Sequence, residues 1–343
     1  MRVLLISATG FLGNRIISWL QRRGHDVILY HPEHRDHLLK GIDAQRVFGY
    51  RIHFDEQTKT LDQLKLDAAI DCLPWNDKDT LRVISGLHGR AKRVVHLSGM
   101  DVYRAWSYFH NNQFGEPIPI SEHAPSRGGH HPMQDEAIPA LVDYDKLLAE
   151  RVILNAHFSS GYPGTIVRLP RLYGPQDPRF YDWQIVRRMV AGHEAIFMEG
   201  CQSSWLQQRG FVDNVALGIA LVAERDVAVG QIYNIGDEET LTRAGWIKAM
   251  GEALRWEGEI IIRSKQDLPE HLRTAYNYQQ HLVLDTTKIR RQVGYTDTIP
   301  PAEAIRRTTV WMAQNLPDHL RLDDAESALE GDLIKKVKQE APS

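Results

Sequence analysis

Cysteine is scarce in this chain, which has only Cys72 and Cys201 among its 343 residues. Two thiols cannot build a disulfide framework, and no cluster of cysteine and histidine has the spacing of a zinc site, so we expect no metal centre. This cysteine content is typical of a reducing compartment, where we expect both thiols to fill space in the core. The sequence therefore favours a cytoplasmic location.

Long apolar runs and an excess of one charge are also missing. The first apolar run, 3–6, is short, whereas an export signal needs about 7–15 apolar residues and a membrane span about 18. The 41 basic and 44 acidic side chains leave a net charge of −3, which provides no broad basic field for nucleic acid or an anionic membrane. We therefore expect a soluble protein with a small-molecule substrate and with no nucleic-acid or membrane partner.

The composition is that of a folded protein. Hydrophobic residues make up 43% and charged residues 25%, which excludes global disorder. The apolar runs that we interpret as buried strands lie at 3–6, 27–30, 68–72 and 94–97. Ile16, Ile17 and Leu20 recur at helical spacing after the first run. This alternation predicts an α/β fold, a Rossmann-like doubly wound parallel sheet with a smaller C-terminal substrate lobe.

Segment 104–137 has no clear periodicity, which predicts a long functional loop. The other elements that we predict are helices at 77–88, 138–157, 182–191, 212–223, 242–255 and 301–313, and strands at 165–168 and 232–234. The charged tail predicts a frayed helix or disorder. We divide the chain into a cofactor-binding domain at 1–172, to which 211–225 returns, a substrate lobe at 173–320 and a charged tail at 321–343.

Segment 7–13, SATGFLG, joins the first predicted strand to the first predicted helix. A dinucleotide-binding turn needs small residues there, because the backbone approaches the pyrophosphate and the helix packs close to the strand. Gly10 and Gly13 fit the last two glycines of G-x-x-G-x-x-G, and Ser7 replaces the first. Together with Thr9, these residues predict a nucleotide-binding turn. The alternative interpretation is a plain tight turn.

The second predicted strand ends at His31, where an NAD site usually places a carboxylate on the ribose 2′-hydroxyl. Glu33 is near this place but follows Pro32, past the predicted strand end. His31 and Arg35 would instead suit the 2′-phosphate of NADP(H). The sequence therefore favours NADP(H) over NAD, and the alternative is that these are ordinary surface residues.

Six segments resemble the extended short-chain dehydrogenase/reductase family, of the nucleotide-sugar epimerase/dehydratase type. They are SATGFLG at 7–13, HLSGMDVY at 96–103, RLPRLYGP at 168–175, RGFVDNVA at 209–216, YNIG at 233–236 and LDTTKIRRQVGY at 284–295. The resemblance covers about 1–313. It implies an NAD(P)-dependent oxidoreductase or epimerase that transfers hydride at a carbonyl or secondary alcohol of a small molecule, for example a sugar-like one.

The family's machinery is a Ser or Thr together with Tyr-x-x-x-Lys on a helix, where the Lys holds the nicotinamide ribose and the Tyr exchanges a proton with substrate. This chain departs from that pattern. Segment 146–150, KLLAE, makes Lys146 the lysine and puts Val142 in the place of the tyrosine. Tyr144 would lie on the opposite face of a regular helix from Lys146, unless the helix begins irregularly here.

The family's hydroxyl position, three residues before Val102, is Gly99, and Ser98 precedes it. Of the dehydratase sequence Thr-Asp-Glu only the last acid is present, as Asp101, which disfavours dehydration. The candidate catalytic residues that the resemblance leaves are Lys146, Tyr144, Ser98, Asp101, Tyr103 and the loop pair His130 and His131. The missing Tyr-x-x-x-Lys keeps an alternative open, a non-catalytic NAD(P)-binding protein such as a redox sensor.

The resemblance also implies further contacts. Those with the cofactor are Asp55 at the adenine, the Phe11 and Leu12 backbone at the pyrophosphate, Leu73, Pro74, Leu97 and Ser98 at strand ends, and Lys146, Leu169 and Pro170 at the nicotinamide. On the substrate side we expect an aromatic surface at Trp106 and an anion contact at Arg209. The family commonly forms homodimers, and the predicted helix at 138–157 is the candidate interface.

Overall fold

The computed structural model describes residues 1–129, 142–179, 181–320 and 324–340. Its strands are β1 (Arg2–Ile6), β2 (Asp26–His31), β3 (Gln45–Phe48), β4 (Ala68–Asp71), β5 (Arg93–Gly99), β6 (Gly164–Leu169), β7 (Arg171–Tyr173), β8 (Ala195–Glu199), β9 (Arg209–Phe211), β10 (Ile232–Asn234) and β11 (Glu259–Arg263). Its helices are α1 (Phe11–Arg22), α2 (Thr58–Leu64), α3 (Asp77–Leu87), α4 (Arg104–His110), α5 (Lys146–Ser160), α6 (Trp183–Val190), α7 (Gly200–Ser203), α8 (Val212–Glu224), α9 (Arg243–Leu254), α10 (Thr287–Val293), α11 (Pro301–Gln314) and α12 (Asp324–Glu340).

Seven strands form one parallel sheet in the order β3-β2-β1-β4-β5-β6-β10. The order reverses between β1 and β4, which is the switch point where open α/β sheets bind ligands at the carboxyl ends of their strands. The predicted fold class is therefore confirmed. The sequence missed the edge strand β3, because its residues QRVF contain no continuous apolar run.

Helices cover both faces of this sheet. Residues of α1, α8 and α10 pack over one face, and residues of α2, α3 and α5 pack over the other. Leu4 and Leu5 of β1 point to opposite faces, and both are fully buried. Burial on both sides explains why these strands read as continuous apolar runs.

A further core lies in the C-terminal half, where Val186 of α6, Ile247 of α9 and Ile305 of α11 pack together. Two short parallel pairs accompany it, β7 with β9 and β8 with β11. The chain crosses between this lobe and the sheet more than once, since α8 packs against α1 and β10 is the last strand of the sheet.

Helix α5 begins at Lys146, later than the predicted start at 138. The carboxylate of Asp145 caps it by accepting from the Leu147 and Leu148 N–H groups at 3.0 and 3.4 Å, as N-cap residues do. Residues 138–141 lie outside the described residues, and 142–145 are not helical. Tyr144 therefore precedes the helix, and the opposite-face argument does not apply to it.

Two other segments are more ordered than predicted. Helix α4 occupies the start of the predicted loop, because Ala105 and Phe109 are buried on one of its sides. The predicted frayed or disordered tail forms α12, whose Glu330 is 1% exposed and binds Arg188 at 2.6 Å. This helix is anchored in part by a buried ion pair, which is a contact that an apolar pattern in the sequence does not show.

The two thiols do not share one environment. Cys72 is half-buried and packs against the core, but Cys201 is exposed, so the prediction that both fill core space is wrong for Cys201. Within the described ranges, the helices are all too short or too polar to cross a membrane.

Candidate functional site

The turn after β1 has the geometry that a phosphate group requires. Ser7 and Gly10 adopt positive φ values of 59° and 118°, a region that favours glycine. A Cβ on Gly13 would overlap the backbone carbonyl of Ala8, so α1 packs against the turn at a distance that only glycine allows. Gly10 is the N-cap and has no side chain to bind the first N–H groups of α1, which leaves them for an anion.

Acidic and basic side chains both lie at the carboxyl end of β2. His31 is buried, and its Nε2 atom lies 3.5 Å from Asp36, which also pairs with Arg46 at 3.1 Å. Arg35 and Glu33 are exposed on the 3-10 turn that follows the strand. The strand end thus contacts the carboxylate of Asp36, which the sequence did not single out.

Apolar side chains are exposed around the neighbouring strand ends, as an adenine ring requires. Tyr50 follows β3 closely and is 56% exposed, and Leu73 after β4 is 38% exposed. Asp55 lies farther along the chain, 3.6 Å from Arg82 of α3. The sequence missed Tyr50 because it missed β3, the strand that positions it.

The ends of β5 and β6 lie side by side, with Gly99 paired to Leu169. Leu97 is buried in the core, and Pro170 follows Leu169 directly. Because side chains alternate along a strand, Ser98 lies on the face opposite to that of Gly99. The Ser98 hydroxyl is buried without a hydrogen-bond partner among the described residues.

Three predicted catalytic residues meet at this point. The Tyr144 hydroxyl donates to Asp101 Oδ2 at 3.2 Å. A Cβ on Gly99 would overlap Asp101 Oδ1 and would lie 3.8 Å from Lys146 Cδ. Asp101 and Lys146 therefore border the side-chain position of Gly99, and Tyr144 is linked to it through Asp101.

Among the described residues, three carboxylates act on the charge of Lys146. Burial lowers its pKa, and the carboxylates of Asp101, Glu150 and Asp71 oppose that shift. Glu150 and Asp71 each form a two-point ion pair with a buried or half-buried arginine. These pairs are Glu150 with Arg168 and Asp71 with Arg51.

Tyr103, another candidate for proton transfer, hydrogen-bonds away from this group. The Tyr103 hydroxyl donates to Asn234 of β10 at 2.6 Å, and burial raises its pKa to about 12. This hydrogen bond connects Tyr103, which follows β5, to β10. A catalytic role for Tyr103 stays a prediction. His130 and His131 lie outside the described residues.

Three arginines share one carboxylate where the lobe begins. Asp182 accepts from Arg209 at 2.8 Å, lies 3.7 Å from Arg171 and interacts electrostatically with Arg243. Burial, together with the charges of Arg171 and Arg243, lowers the pKa of Arg209 to about 10 against the opposing pull of Asp182. The Nε atoms of Arg171 and Arg243 are buried without a hydrogen-bond partner among the described residues.

This arginine cluster, Arg171, Arg209 and Arg243, is close to the strand ends. Arg171 follows Leu169 by two residues, a span of about 7 Å. Three guanidinium groups against one carboxylate suit an added dianion such as a diphosphate. The sequence singled out Arg209 and missed the other two, since an isolated arginine is usually a surface residue and its burial is set by tertiary packing.

Trp106 belongs to an aromatic group that joins α4 to the lobe. Phe109 stacks on Trp205 and Tyr276 with ring centroids 4.9 and 5.0 Å apart, and half-buried Trp106 packs against the same cluster. Its indole N–H is buried with no hydrogen-bond partner in the described part of the chain. A substrate contact at Trp106 stays a prediction.

Comparison with known proteins gives a family match and structural relatives. The model of the NAD dependent epimerase/dehydratase family matches residues 3–236. The dTDP-glucose 4,6-dehydratase of Streptomyces griseus is 24% identical over 169 residues, which are 48% of this chain and 48% of that protein. The chain spans about half the length of the curated relatives it matches.

Two solved structures share the fold over nearly the whole chain. The dTDP-glucose 4,6-dehydratase of Bacillus anthracis, in complex with NAD, has a TM-score of 0.67 and 14% identity, covering 94% of this chain and 100% of that one. The UDP-glucuronic acid 4-epimerase of Bacillus cereus, in complex with UDP-glucuronic acid and NAD, has a TM-score of 0.66 and 15% identity, covering 92% and 99%. At these identities the likeness shows the fold alone.

Proposed function

The chain belongs to the NAD dependent epimerase/dehydratase family, and on this premise we propose that it transfers hydride between a nicotinamide cofactor and a secondary alcohol or carbonyl of a nucleotide sugar. Membership of that family supports an enzyme that depends on a nicotinamide cofactor. The grouping of Asp101, Tyr144 and Lys146 at the ends of β5 and β6 carries the proposal. Gly99 and Met100 replace two dehydratase residues, which favours epimerisation or reduction over dehydration.

The residues of the crevice fit a dinucleotide. Gly13 leaves no room for a side chain between α1 and the turn, so the N–H groups of α1 would meet the pyrophosphate. Tyr50 and Leu73 would flank the adenine, and Lys146 would hold the nicotinamide ribose. The bound nicotinamide supplies the group that accepts or donates hydride.

The arginine cluster supports a substrate with a diphosphate. The curated and structural relatives named above act on or bind dTDP- and UDP-linked sugars. A sugar nucleotide held by Arg171, Arg209 and Arg243 would direct its sugar toward Tyr144, because the cluster begins two residues beyond the end of β6. Charge-assisted bonds to phosphate contribute about 1.5–3 kcal/mol each.

Lys146→Ala and Arg243→Gln should damage turnover in different ways. With NAD(P)⁺ and a panel of UDP- and dTDP-hexoses, we expect the wild type to interconvert one sugar. K146A should lower kcat about 100-fold, because the residue acts at the reacting end. R243Q should raise KM about tenfold or more, since it removes phosphate binding. Product NMR and nicotinamide absorbance measure both constants.

Arg306→Gln is the matched control, because Arg306 is exposed and pairs with Glu303 on α11. It should change neither constant. Cofactor binding with no turnover of any sugar would favour the alternative of a non-catalytic NAD(P)-binding protein. An unchanged KM in R243Q would show that the arginine cluster does not bind the substrate phosphates.

NADP(H) is the cofactor form that we propose, because Asp36 is engaged by Arg46 while Arg35 is exposed at the end of β2. We expect NADPH to bind more tightly than NADH. Arg35→Ala should weaken NADPH binding about tenfold and leave NADH binding unchanged. Asp36→Ala is the paired variant, and it should leave NADPH binding equal or tighter. Energy transfer from tryptophan to nicotinamide measures each affinity.

The opposite pattern would show an NAD enzyme. In that case D36A would weaken NADH binding, because the carboxylate would hold the ribose 2′-hydroxyl, and R35A would have no effect. An enzyme isolated with tightly held NAD would favour epimerisation, in which the hydride returns to the same substrate.

A homodimer and a cytoplasmic location stay predictions of the sequence. The helices α3 and α5 pack together, and each exposes an apolar side chain, Leu81 at 49% and Phe158 at 81%. Such side chains suit an interface between two copies. Sedimentation equilibrium showing a monomer at micromolar concentration would overturn the dimer.

A further inference from the structure

The side-chain position of Gly99 is filled by another residue. Gly99 has extended backbone angles, φ −146° and ψ 164°, which any residue adopts without strain. The atom that would obstruct a side chain there is Asp101 Oδ1, and Lys146 Cδ lies 3.8 Å from the same point. A carboxylate thus occupies the space that faces Lys146 at the end of β5.

The hydroxyl beside this carboxylate comes from a non-helical residue. Tyr144 lies just before the N-cap of α5, and its hydroxyl donates to Asp101 Oδ2 at 3.2 Å. Its ring packs edge-on against Trp75, with centroids 6.0 Å apart. The two oxygens of Asp101 therefore face two functional positions, one at Gly99 and one at Tyr144.

A buried arginine connects the segment of Asp101 to the segment of Tyr144. Arg127 is 2% exposed, and its Nε donates to the Asp101 carbonyl at 3.0 Å. Its Nη2 donates to the carboxylate of Asp145, the residue that caps α5 and follows Tyr144. Arg127 is therefore a positioning residue that ties the end of β5 to the start of α5.

We propose that Asp101 and Tyr144 act as one proton-transfer pair, in which the Asp101 carboxylate serves where a hydroxyl side chain at position 99 would otherwise stand. The inference rests on the proposed function, because it assigns the proton half of that hydride transfer. It differs from a tyrosine that is activated by a lysine alone, since the acceptor of the proton here is a carboxylate.

The proposed step balances in atoms and electrons. The O–H bond of the substrate alcohol breaks and its proton passes to the Tyr144 oxygen. The Tyr144 O–H bond breaks and its proton passes to Asp101, which becomes a neutral acid. The substrate C–H bond would break with its electron pair, and a bound oxidised nicotinamide would accept the hydride, leaving a carbonyl. The reverse sequence reduces a carbonyl.

The electrostatics of the pair agree with this order of transfers. Burial and the charge of Asp101 raise the pKa of Tyr144. A phenol in this setting stays protonated, so it passes a proton on without holding a negative charge. Asp101 is therefore placed to accept the proton that Tyr144 passes on.

Two measurements test the pair, and the first needs no substrate. In protein labelled with ¹³C at the tyrosine Cζ, the Tyr144 signal is identified by its loss in Tyr144→Phe. At neutral pH, where burial and the charge of Asp101 keep the phenol protonated, Asp101→Asn should move this signal, since the Tyr144 hydroxyl loses its charged acceptor. A signal that does not move would overturn the pair.

The second measurement is turnover of the sugar found with the wild type. D101N should lower kcat about 100-fold or more while cofactor affinity stays within twofold. Gly99→Ser should also lower kcat, because its side chain displaces Asp101. The double variant G99S/D101A should recover at least tenfold over Asp101→Ala, because it supplies a hydroxyl where the carboxylate stood. G99S alone keeps the assay informative if D101N does not fold.

The outcomes separate this inference from the proposed function. A wild type that binds cofactor and turns over no sugar ends the proposed function, and the proton role falls with it. A wild type that turns over a sugar while D101N keeps full kcat overturns the pair and leaves the proposed function intact. Loss of activity in D101N with no recovery in G99S/D101A would show that Asp101 does not stand in for a hydroxyl.

Discussion

Gly13→Ala is expected to lower the free energy of unfolding by about 3 kcal/mol, at the upper end of the cost of overpacking. The added Cβ would overlap the carbonyl of Ala8 and lie 2.8 Å from its Cα. These are backbone atoms of a buried turn, and they cannot rotate away as the end of a side chain can. Relief requires α1 to move off β1, which also moves the N–H groups that would bind the pyrophosphate.

Urea unfolding at a fixed pH measures this loss, together with the affinity for NADPH. Gly331→Ala is the matched control, because Gly331 lies inside α12 and its added Cβ meets no atom within 4 Å. That variant should gain about 0.5–1 kcal/mol from better helix propensity. A midpoint for G13A equal to that of the wild type would show that α1 does not approach the turn this closely.

The central sheet could be predicted from the sequence because its strands are buried on both faces. Continuous apolar runs such as VLLI at 3–6 indicate this burial, and their alternation with helices then predicts a parallel sheet. The edge strand β3 has half-exposed residues and leaves no such record. The same reasoning fails for α12, whose anchor is the ion pair of Glu330 with Arg188.

The cofactor half of the candidate site was easier to predict than the catalytic half. Glycines in a strand–turn–helix context reflect a local steric demand, which the sequence shows. The place of Tyr144 depends on where α5 begins, and an N-cap at Asp145 moves it from the far side of a helix to hydrogen-bonding distance of Asp101. Spacing arguments assume a regular helix, so they cannot detect that change.

The arginine cluster was out of reach for a related reason. Arg171, Arg209 and Arg243 come from three separated segments and meet through the pairing of β7 with β9 and the start of α9. No local pattern shows that three cations converge on Asp182. Their excess charge becomes visible only when tertiary structure is known, and it is the feature that suggests a diphosphate.

Asp237 is expected to make the protein less stable as the pH rises toward neutrality. It is 4% exposed and accepts from the Phe211 N–H at 2.8 Å, behind the strand that carries Arg209. Burial raises its pKa to about 7, with a contribution from the charge of Asp297. An unfolded aspartate has a pKa of about 3.9.

The sign follows from proton binding. Between about pH 4 and pH 7 the folded state keeps a proton that the unfolded state has lost, so stability falls with rising pH by up to about 1.4 kcal/mol per pH unit. Above pH 7 both states are ionised, and the loss, about 2–4 kcal/mol in all, is complete. Asp237→Asn keeps the acceptor for Phe211 and removes the charge.

D237N should therefore be more stable than the wild type by an amount that grows from about pH 4 to about pH 7 and is constant above. Urea unfolding at pH 4.5, 6 and 8 measures this gap. Asp43→Asn, at an exposed site, should differ from the wild type by no more than about 0.5 kcal/mol at each pH. A gap for D237N that does not change with pH would mean that Asp237 is ionised throughout. The strand that carries Arg209 would then lie against a charged carboxylate. The excess positive charge of the arginine cluster would in that case be smaller than three guanidinium groups against Asp182 alone imply.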